Sequence, residues 1–268
     1  MSHDSPLEVR DTGPWAEIIL DRPPRNVLDE PLLGALRDAL DALAAAGGPL
    51  LLLRARGRHF STGYDIANIP AEIFDEDPDV RAAHPFEQVM ARLVAYPSPV
   101  VAAVGGDAWG GAVELLACTD LRLGVEGARV GLPPVRLGLV YSHTGLRRLL
   151  RAFGPALARE MLLTGEAITA ERALAAGFVC RVTPPADLEA TANALMTSIS
   201  RGGPQALRGT RRVLHLLEET ESLPPAALAE IATLRHAARH SSDFAAAQAA
   251  FLERRPSPFG PVDDAPRT

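Results

Sequence analysis

The chain has 268 residues, 47% of them hydrophobic, and a formal charge of −6. That is enough apolar content for one large domain, or one domain with a smaller appendage. The acidic balance argues against a nucleic-acid partner, and no stretch approaches the roughly 20 uninterrupted apolar residues of a membrane span. The polar start, MSHDSPLEVRD, argues against a secretory leader. All 27 basic residues are arginine, which removes lysine Schiff-base chemistry and the lysine of a P-loop. Cys118 and Cys180 both lie in apolar surroundings and are expected as buried thiols in a reducing, cytoplasmic compartment.

In chain order, Trp15–Leu20 predicts a strand that ends at the turn Asp21–Arg25. Leucines at 32, 33, 36, 40 and 43 mark one face of a helix over Asp29–Ala46, with Pro31 in its first turn and Gly47-Gly48 at its end. Leu50–Leu53 predicts a buried strand, followed by a polar connection through Ile66. The acidic segment from Pro70 to Pro85 predicts a mobile surface loop or lid. A helix over Phe86–Ala95 and a strand over Pro99–Val104 lead into GGDAWGGAVE, Gly105 to Glu114, read as a glycine-rich turn opening a helix over Ala112–Ala117. After a strand at Leu121–Val125, helices are expected over 146–152, 155–164, 169–176, 187–200, 205–219, 225–240 and 243–254. Alternating strands and helices followed by helices alone predict an α/β core over 1–200 with a helical C-terminal region over 201–268.

Several common sites are excluded, because the chain has no G-x-S-x-G elbow, H-E-x-x-H helix, C-x-x-C pair or G-x-G-x-x-G turn. The seven histidines lack metal-ligand spacing, and His215, His236 and His240 are expected on helix surfaces. Two glycine turns remain, Phe60–Ile66 and Trp109–Glu114. Paired glycines at a helix start expose unpaired N–H groups at the positive end of the helix dipole, which suits a phosphate or a transient oxyanion. Donors from two separate turns can converge on one carbonyl oxygen.

FSTGYDI followed by WGGAVELLACTDLRL resembles the crotonase, or enoyl-CoA hydratase/isomerase, superfamily. DRPPRNVLD is similar to its N-terminal substrate-binding turn, LTGEAITAERALAAGFVCRV to its segment joining core and C-terminal helices, and FLERRPSPF to its C-terminal end. The resemblance covers most of the chain. It implies an α/β, crotonase-like spiral of ββα units with a helical C-terminal appendage. It also implies an acyl-CoA thioester substrate, no metal or redox cofactor, and homotrimers or hexamers with the C-terminal helices packing between subunits. The N–H groups of Tyr64 and Gly111 would bind the thioester oxygen. Thr62, Gly63, Asp65, Ile66, Trp109, Gly110 and Pro133 would form the pocket around it. Arg22 and Arg25, with Arg254 or Arg255 of a neighbouring subunit, would meet the CoA phosphates or remain solvated.

Hydratases of this family use two glutamates. Glu114 matches the first, but proline occupies the second position, Pro134, and proline cannot carry a proton. Pro134, the Leu-Gly that follows, Tyr141, Trp109 and the run Tyr64–Pro70 together resemble the methylmalonyl-CoA decarboxylase branch. That branch has histidine where this chain has Tyr64. Decarboxylation of a malonyl-type thioester needs an oxyanion hole and an oriented carboxylate but no strong base. Tyr141 is the candidate to orient that carboxylate, or else a wall of the acyl pocket. Glu114 is a proton carrier or a structural acceptor, and His143 a proton donor or a helix-start residue. Two other expectations stand beside decarboxylation: a hydratase or isomerase using Glu114, and a non-catalytic acyl-CoA-binding subunit.

Overall fold

The computed structural model describes residues 5–65, 78–218, 240–256, and residues 225, 229, 232, 233, 236 and 239. Its frame is a six-stranded sheet in the order β1-β2-β3-β5-β7-β10. These strands are β1 (Leu7–Asp11), β2 (Ala16–Leu20), β3 (Leu51–Ala55), β5 (Val100–Val104), β7 (Leu121–Val125) and β10 (Arg181–Thr183). The β1–β2 pair is antiparallel and every later pairing is parallel. Side chains alternate across the sheet. Leu51, Leu53, Val100, Ala102 and Val104 enter the main core, while Leu52, Val101, Ala103 and Leu123 pack under helix α7 (Leu188–Ser200) through Ala192, Leu195 and Met196. Cover on both faces explains why Leu51–Leu53 of β3 and the whole of β5 are uninterrupted apolar runs.

A second sheet, in the order β4-β6-β8-β9, is built from short strands: β4 (His59–Ser61), β6 (Asp107–Trp109), β8 (Arg129–Gly131) and β9 (Ile168–Thr169). Each consecutive pair β3/β4, β5/β6 and β7/β8 gives one strand to each sheet and is followed by helix. The helices are α2 (Pro78–Ala83) with α3 (Pro85–Ala95), then α4 (Gly111–Ala117), then α5 (His143–Thr164); the short α6 (Ala170–Ala175) follows β9. This repetition is the expected spiral of ββα units. Helix α1 (Glu30–Ala45) begins at Asp29, whose side chain accepts from the Leu32 N–H, and buries Leu32, Leu33, Leu36 and Leu40 against the core and α3. Among the described residues no helix is long and apolar enough to cross a membrane.

Some expectations are corrected. The stretch from Gly105 to Glu114 is not one turn, because β6 lies inside it. The second-sheet strands are three residues or fewer, too short for hydrophobic alternation to reveal, and β1 and β10 are masked by exposed charged residues. Residues 78–83, expected as loop, are helical, while residues 66–77, including the rest of the expected lid, lie outside the described residues. The helices expected at 146–152 and 155–164 are joined as α5, which starts three residues earlier and kinks where Gly154 leaves helical geometry ahead of Pro155. Cys180 is exposed; only Cys118 is buried, and burial pushes its thiol up to about 12. The expected helix at 225–240 lies largely outside the described residues.

Helix α8 (Pro204–Glu218) is fastened to the core by Arg211, which is 6% exposed. Its Nε donates to Asp120 Oδ2 at 2.7 Å, and its Nη groups donate to the carbonyls of Leu93 and Val94, at 2.7 and 2.9 Å, and to that of Tyr96. One guanidinium thus satisfies the carbonyls left over at the end of α3. Asp120 also accepts from the Val100 N–H at 2.7 Å, and His215, expected at the surface, is half-buried with Nε2 3.3 Å from Asp120 Oδ1. Burial by itself would push the Asp120 carboxyl up, but His215 and Arg211 outweigh it and hold it below its ordinary 3.8. Arg211→Met therefore leaves a half-buried carboxylate and open carbonyls without their cation, and is expected to lower the unfolding free energy by about 3 kcal/mol in urea titration. Because the carboxyl is depressed in the folded state, its contribution is complete above pH 3.8 and lost as pH falls through the folded value. The stability gap between wild type and Asp120→Asn is expected to close on acidification; a gap that widens would contradict the assignment.

Candidate active site

Three loops leave the same end of the second sheet. The parallel register pairs His59 with Asp107 and Ser61 with Ala108, then Ala108 with Val130 and Trp109 with Gly131. Thr62-Gly63-Tyr64, Gly110-Gly111 and Leu132-Pro133-Pro134 therefore emerge side by side. A Cβ built on Gly63, whose φ is +84°, would lie 2.4 Å from the Trp109 oxygen and 3.1 Å from the Gly111 nitrogen. No side chain fits there, and the conformation itself favours glycine. A Cβ on Gly111 would lie 3.5 Å from the Tyr64 nitrogen.

The first turn is clamped to the N-terminal segment Arg22–Leu28 by Asn26, a buried residue with φ +50°. Its Nδ2 lies 2.9, 3.1 and 3.2 Å from the carbonyls of Arg56, His59 and Phe60, and its Oδ1 accepts from the Arg22 N–H at 2.8 Å. The Arg25 carbonyl accepts from the Thr62 N–H and the Gly63 carbonyl accepts from the Leu28 N–H. In a planar trans peptide the N–H points opposite the carbonyl. The Tyr64 N–H is thus directed away from Leu28. Gly111 is the first residue of α4, so its N–H has no carbonyl one helical turn back. These two main-chain donors are the pair suited to an anionic oxygen.

Side chains close around the donors. The Phe86 ring lies 3.1 Å from where a Gly111 Cβ would be and meets the Tyr64 ring edge-on at 5.9 Å. His84, the N-cap of α3, sits at the same centroid distance from Tyr64. Burial, with Asp65 adding to it, pushes the Tyr64 phenol up to about 12. The Trp109 indole lies over Gly131, where a Cβ would come within 2.2 Å of the ring, so Trp109 forms wall. Pro133 and Pro134 are buried and begin the short 3-10 turn Pro134–Leu137. Tyr141 is half-buried against the core, with its hydroxyl 3.5 Å from the Cβ position of Gly110. Burial, reinforced by the Glu114 carboxylate, raises its phenol above the ordinary 10.0. It is a neutral hydrogen-bond donor at neutral pH.

Glu114 is 3% exposed and held, not free. Its Oε1 accepts from Arg148 Nη1 at 2.6 Å, while Arg148 Nη2 donates to Glu87 Oε2 at 2.9 Å. Glu87 Oε1 accepts from the Thr144 hydroxyl at 3.0 Å, and Thr144 Oγ1 is 3.0 Å from Ser142 Oγ, the N-cap of α5. Gly145 presses on the Glu114 carboxyl; its Cβ would fall 2.8 Å from Oε2. His143 is the half-buried first residue of α5.

The structure thus brings together Thr62, Gly63, Tyr64, Gly110, Gly111 and Tyr141. It pairs Arg22 with Asp29 through Nε at 2.7 Å, while Arg25 contributes its carbonyl to the clamp. Ile66 lies outside the described residues. Arg255 pairs with Glu253 at 2.6 Å, next to exposed Arg254. Sequence reasoning missed Arg148, Glu87, Phe86 and Asn26. Only Asn26, following a proline pair in a turn, carried a local signal for left-handed backbone.

The chain matches the family model for enoyl-CoA hydratase/isomerase over residues 13–261. It is 30% identical over 236 residues to the methylmalonyl-CoA decarboxylase of Escherichia coli (strain K12), covering 87% of this chain and 89% of that protein. It is also 34% identical over 204 residues to the 2,3-dehydroadipyl-CoA hydratase of the same organism, covering 75% and 78% of the two chains. Among solved structures, methylmalonyl-CoA decarboxylase complexed with 2S-carboxypropyl-CoA superposes with a TM-score of 0.87 at 29% identity, over 95% of this chain and 97% of that one. With the spiral of ββα units and the paired glycine turns, these matches show that the chain belongs to the enoyl-CoA hydratase/isomerase, or crotonase, family.

Proposed function

We propose that the protein is an acyl-CoA decarboxylase that removes CO2 from methylmalonyl-CoA or a related malonyl-type thioester. The carrying observation is the Tyr141 hydroxyl, held neutral beside Gly110 while the two carboxylate positions used for hydration hold a proline and an arginine-paired glutamate. The N–H groups of Tyr64 and Gly111 bind the thioester oxygen. As the bond to the carboxylate carbon breaks, its electron pair passes to the enolate and the charge settles on that oxygen. Each donor supplies roughly 3 kcal/mol, by the magnitude found for other oxyanion holes. Tyr141 hydrogen-bonds the departing carboxylate and keeps the breaking bond perpendicular to the thioester plane, so that it overlaps the carbonyl π system. Likeness to a decarboxylase complexed with a carboxypropyl-CoA supports this reading, as does Pro134.

The same reading takes residues 1–200 as the core bearing the site and 201–268 as the region that packs between subunits in a trimer or hexamer. Exposed Val213, Leu214, Phe251 and Leu252 are compatible with such contacts. Light scattering at micromolar concentration is expected to return a trimeric or hexameric mass; a monomer would refute the assignment of 201–268.

The central test is CO2 release from malonyl-, methylmalonyl- and ethylmalonyl-CoA, with crotonyl-CoA hydration measured alongside. Release from at least one malonyl-type thioester is expected. Tyr141→Phe is expected to lower kcat/KM by about 10- to 100-fold, the worth of one hydrogen bond to a charged group. Since the phenol is raised above 10.0, the rate ratio of wild type to Tyr141→Phe is expected to stay level from neutral pH up to that value. Hydration in place of CO2 release would make the protein a hydratase. Acyl-CoA binding with no turnover would make it a binding subunit.

A further inference from the structure

Glu87, Glu114 and Arg148 come from three successive ββα units: Glu87 from α3, Glu114 from the first turn of α4, and Arg148 from α5. Their side chains are 15%, 4% and 19% exposed, so the arginine bridges two carboxylates largely out of water. Glu114 is three residues beyond Gly111, the proposed oxyanion donor, and its charge acts on the Tyr141 phenol. A carboxylate so near an oxyanion hole has the position of a base that takes the α-proton of an acyl thioester. In this chain the carboxylate is already occupied. Arg148 holds Oε1 at 2.6 Å, and Gly145 lets the α5 backbone close on the other oxygen. A charge-assisted hydrogen bond of this kind lowers the basicity of the oxygen that accepts it and fixes its direction.

We propose that Arg148 is a positioning residue that determines reaction specificity: by binding Glu114 and turning it to α5, it withholds a base from the oxyanion hole and leaves that site to decarboxylation. The inference rests on the reading of Tyr64 and Gly111 as oxyanion donors to an acyl-CoA. Its corollary is a latent activity. With Arg148 removed, Glu114 takes the α-proton of a saturated acyl-CoA. The C–H bond breaks, an O–H bond forms on the carboxyl, the C–H pair becomes the enolate double bond, and the carbonyl π pair moves to the thioester oxygen. In D2O the carboxyl exchanges its proton for a deuteron and returns it to carbon, so the net reaction is hydrogen exchange without an added co-reactant.

The experiment follows deuterium uptake at the α-carbon of propionyl-CoA in D2O by mass spectrometry, with propionyl-CoA binding measured by calorimetry. Wild type is expected to bind the thioester and exchange it near the enzyme-free rate. Arg148→Gln is expected to raise uptake at least tenfold, and Arg148→Gln with Glu114→Gln to abolish the gain. Because Arg148→Gln leaves two buried carboxylates without their cation, the double variant Arg148→Gln/Glu87→Gln, checked for folding by circular dichroism, is measured in parallel and is expected to show the same gain. A purely structural ion pair would lose activity in every variant and gain none. Folded Arg148 variants with no gain overturn the proposal. So does rapid exchange by wild type that Glu114→Gln abolishes, which can be read whether or not the Arg148 variants fold. Failure of wild type to bind propionyl-CoA would strike the acyl-CoA reading itself, and CO2 release with no Arg148 effect would strike only the inference.

Discussion

A methyl group at Gly63 would sit 2.4 Å from the Trp109 oxygen, so the turns that follow β4 and β6 can meet only as bare backbone. That contact is made possible by parallel strands in register, His59 beside Asp107 and Ser61 beside Ala108. On the β4 side the chain is fixed by Asn26, whose one amide spans the carbonyls of Arg56, His59 and Phe60. Hydrogen-bond donors set by main chain in this way need no reorganisation when charge arrives, which is what makes such a pair effective in the proposed reaction. The strand pairing is therefore part of the site as much as of the fold.

The chain has no lysine, and two of its arginines show what a planar, multi-donor cation can do inside a structure. Arg211 meets the end of α3 and Asp120 at once, and Arg148 meets Glu87 and Glu114 at once. Each joins elements far apart in sequence. In both cases the guanidinium shares more than one acceptor, so a single charge is desolvated to order several groups. A lysine's point charge could not match both directions with a fixed fork.

Much of this was readable from residue order. The buried face of α1 follows from its leucine spacing, and the apolar runs of β3 (Leu51–Leu53) and β5 follow from a sheet covered on both sides. Gly63 and Gly111 stood out because glycine turns are local features, whereas Tyr141 stood out only through the family resemblance. The second sheet was not readable: its strands hold three residues or fewer, and what makes them strands is pairing with neighbours from other units. Arg148 was invisible for a related reason. On α5 it is one arginine among several, and its meaning comes from Glu87 and Glu114, which only the stacking of three units brings to it. Cys180 misled because its neighbours in sequence are apolar while the strand it precedes, β10, lies at the sheet edge.

Main-chain donors are indifferent to the side chain that carries them, which is why Tyr64 can stand where the resembled branch has histidine. On the proposed reading, the hole itself does not choose a reaction: it stabilises any enolate that reaches it. The choice belongs to what the next two units deliver. The loop after β8 brings Pro134 where hydration needs a carboxylate and ends at Tyr141, and α5 then brings Arg148 onto the one carboxylate that remains. Pro134, Tyr141 and Arg148 all lie within a single ββα unit, the third of the spiral, while the first two units build the hole. Changing one unit of a repeated architecture, with the other two left to hold the oxyanion, is a short structural route between reactions as different as adding water and releasing CO2.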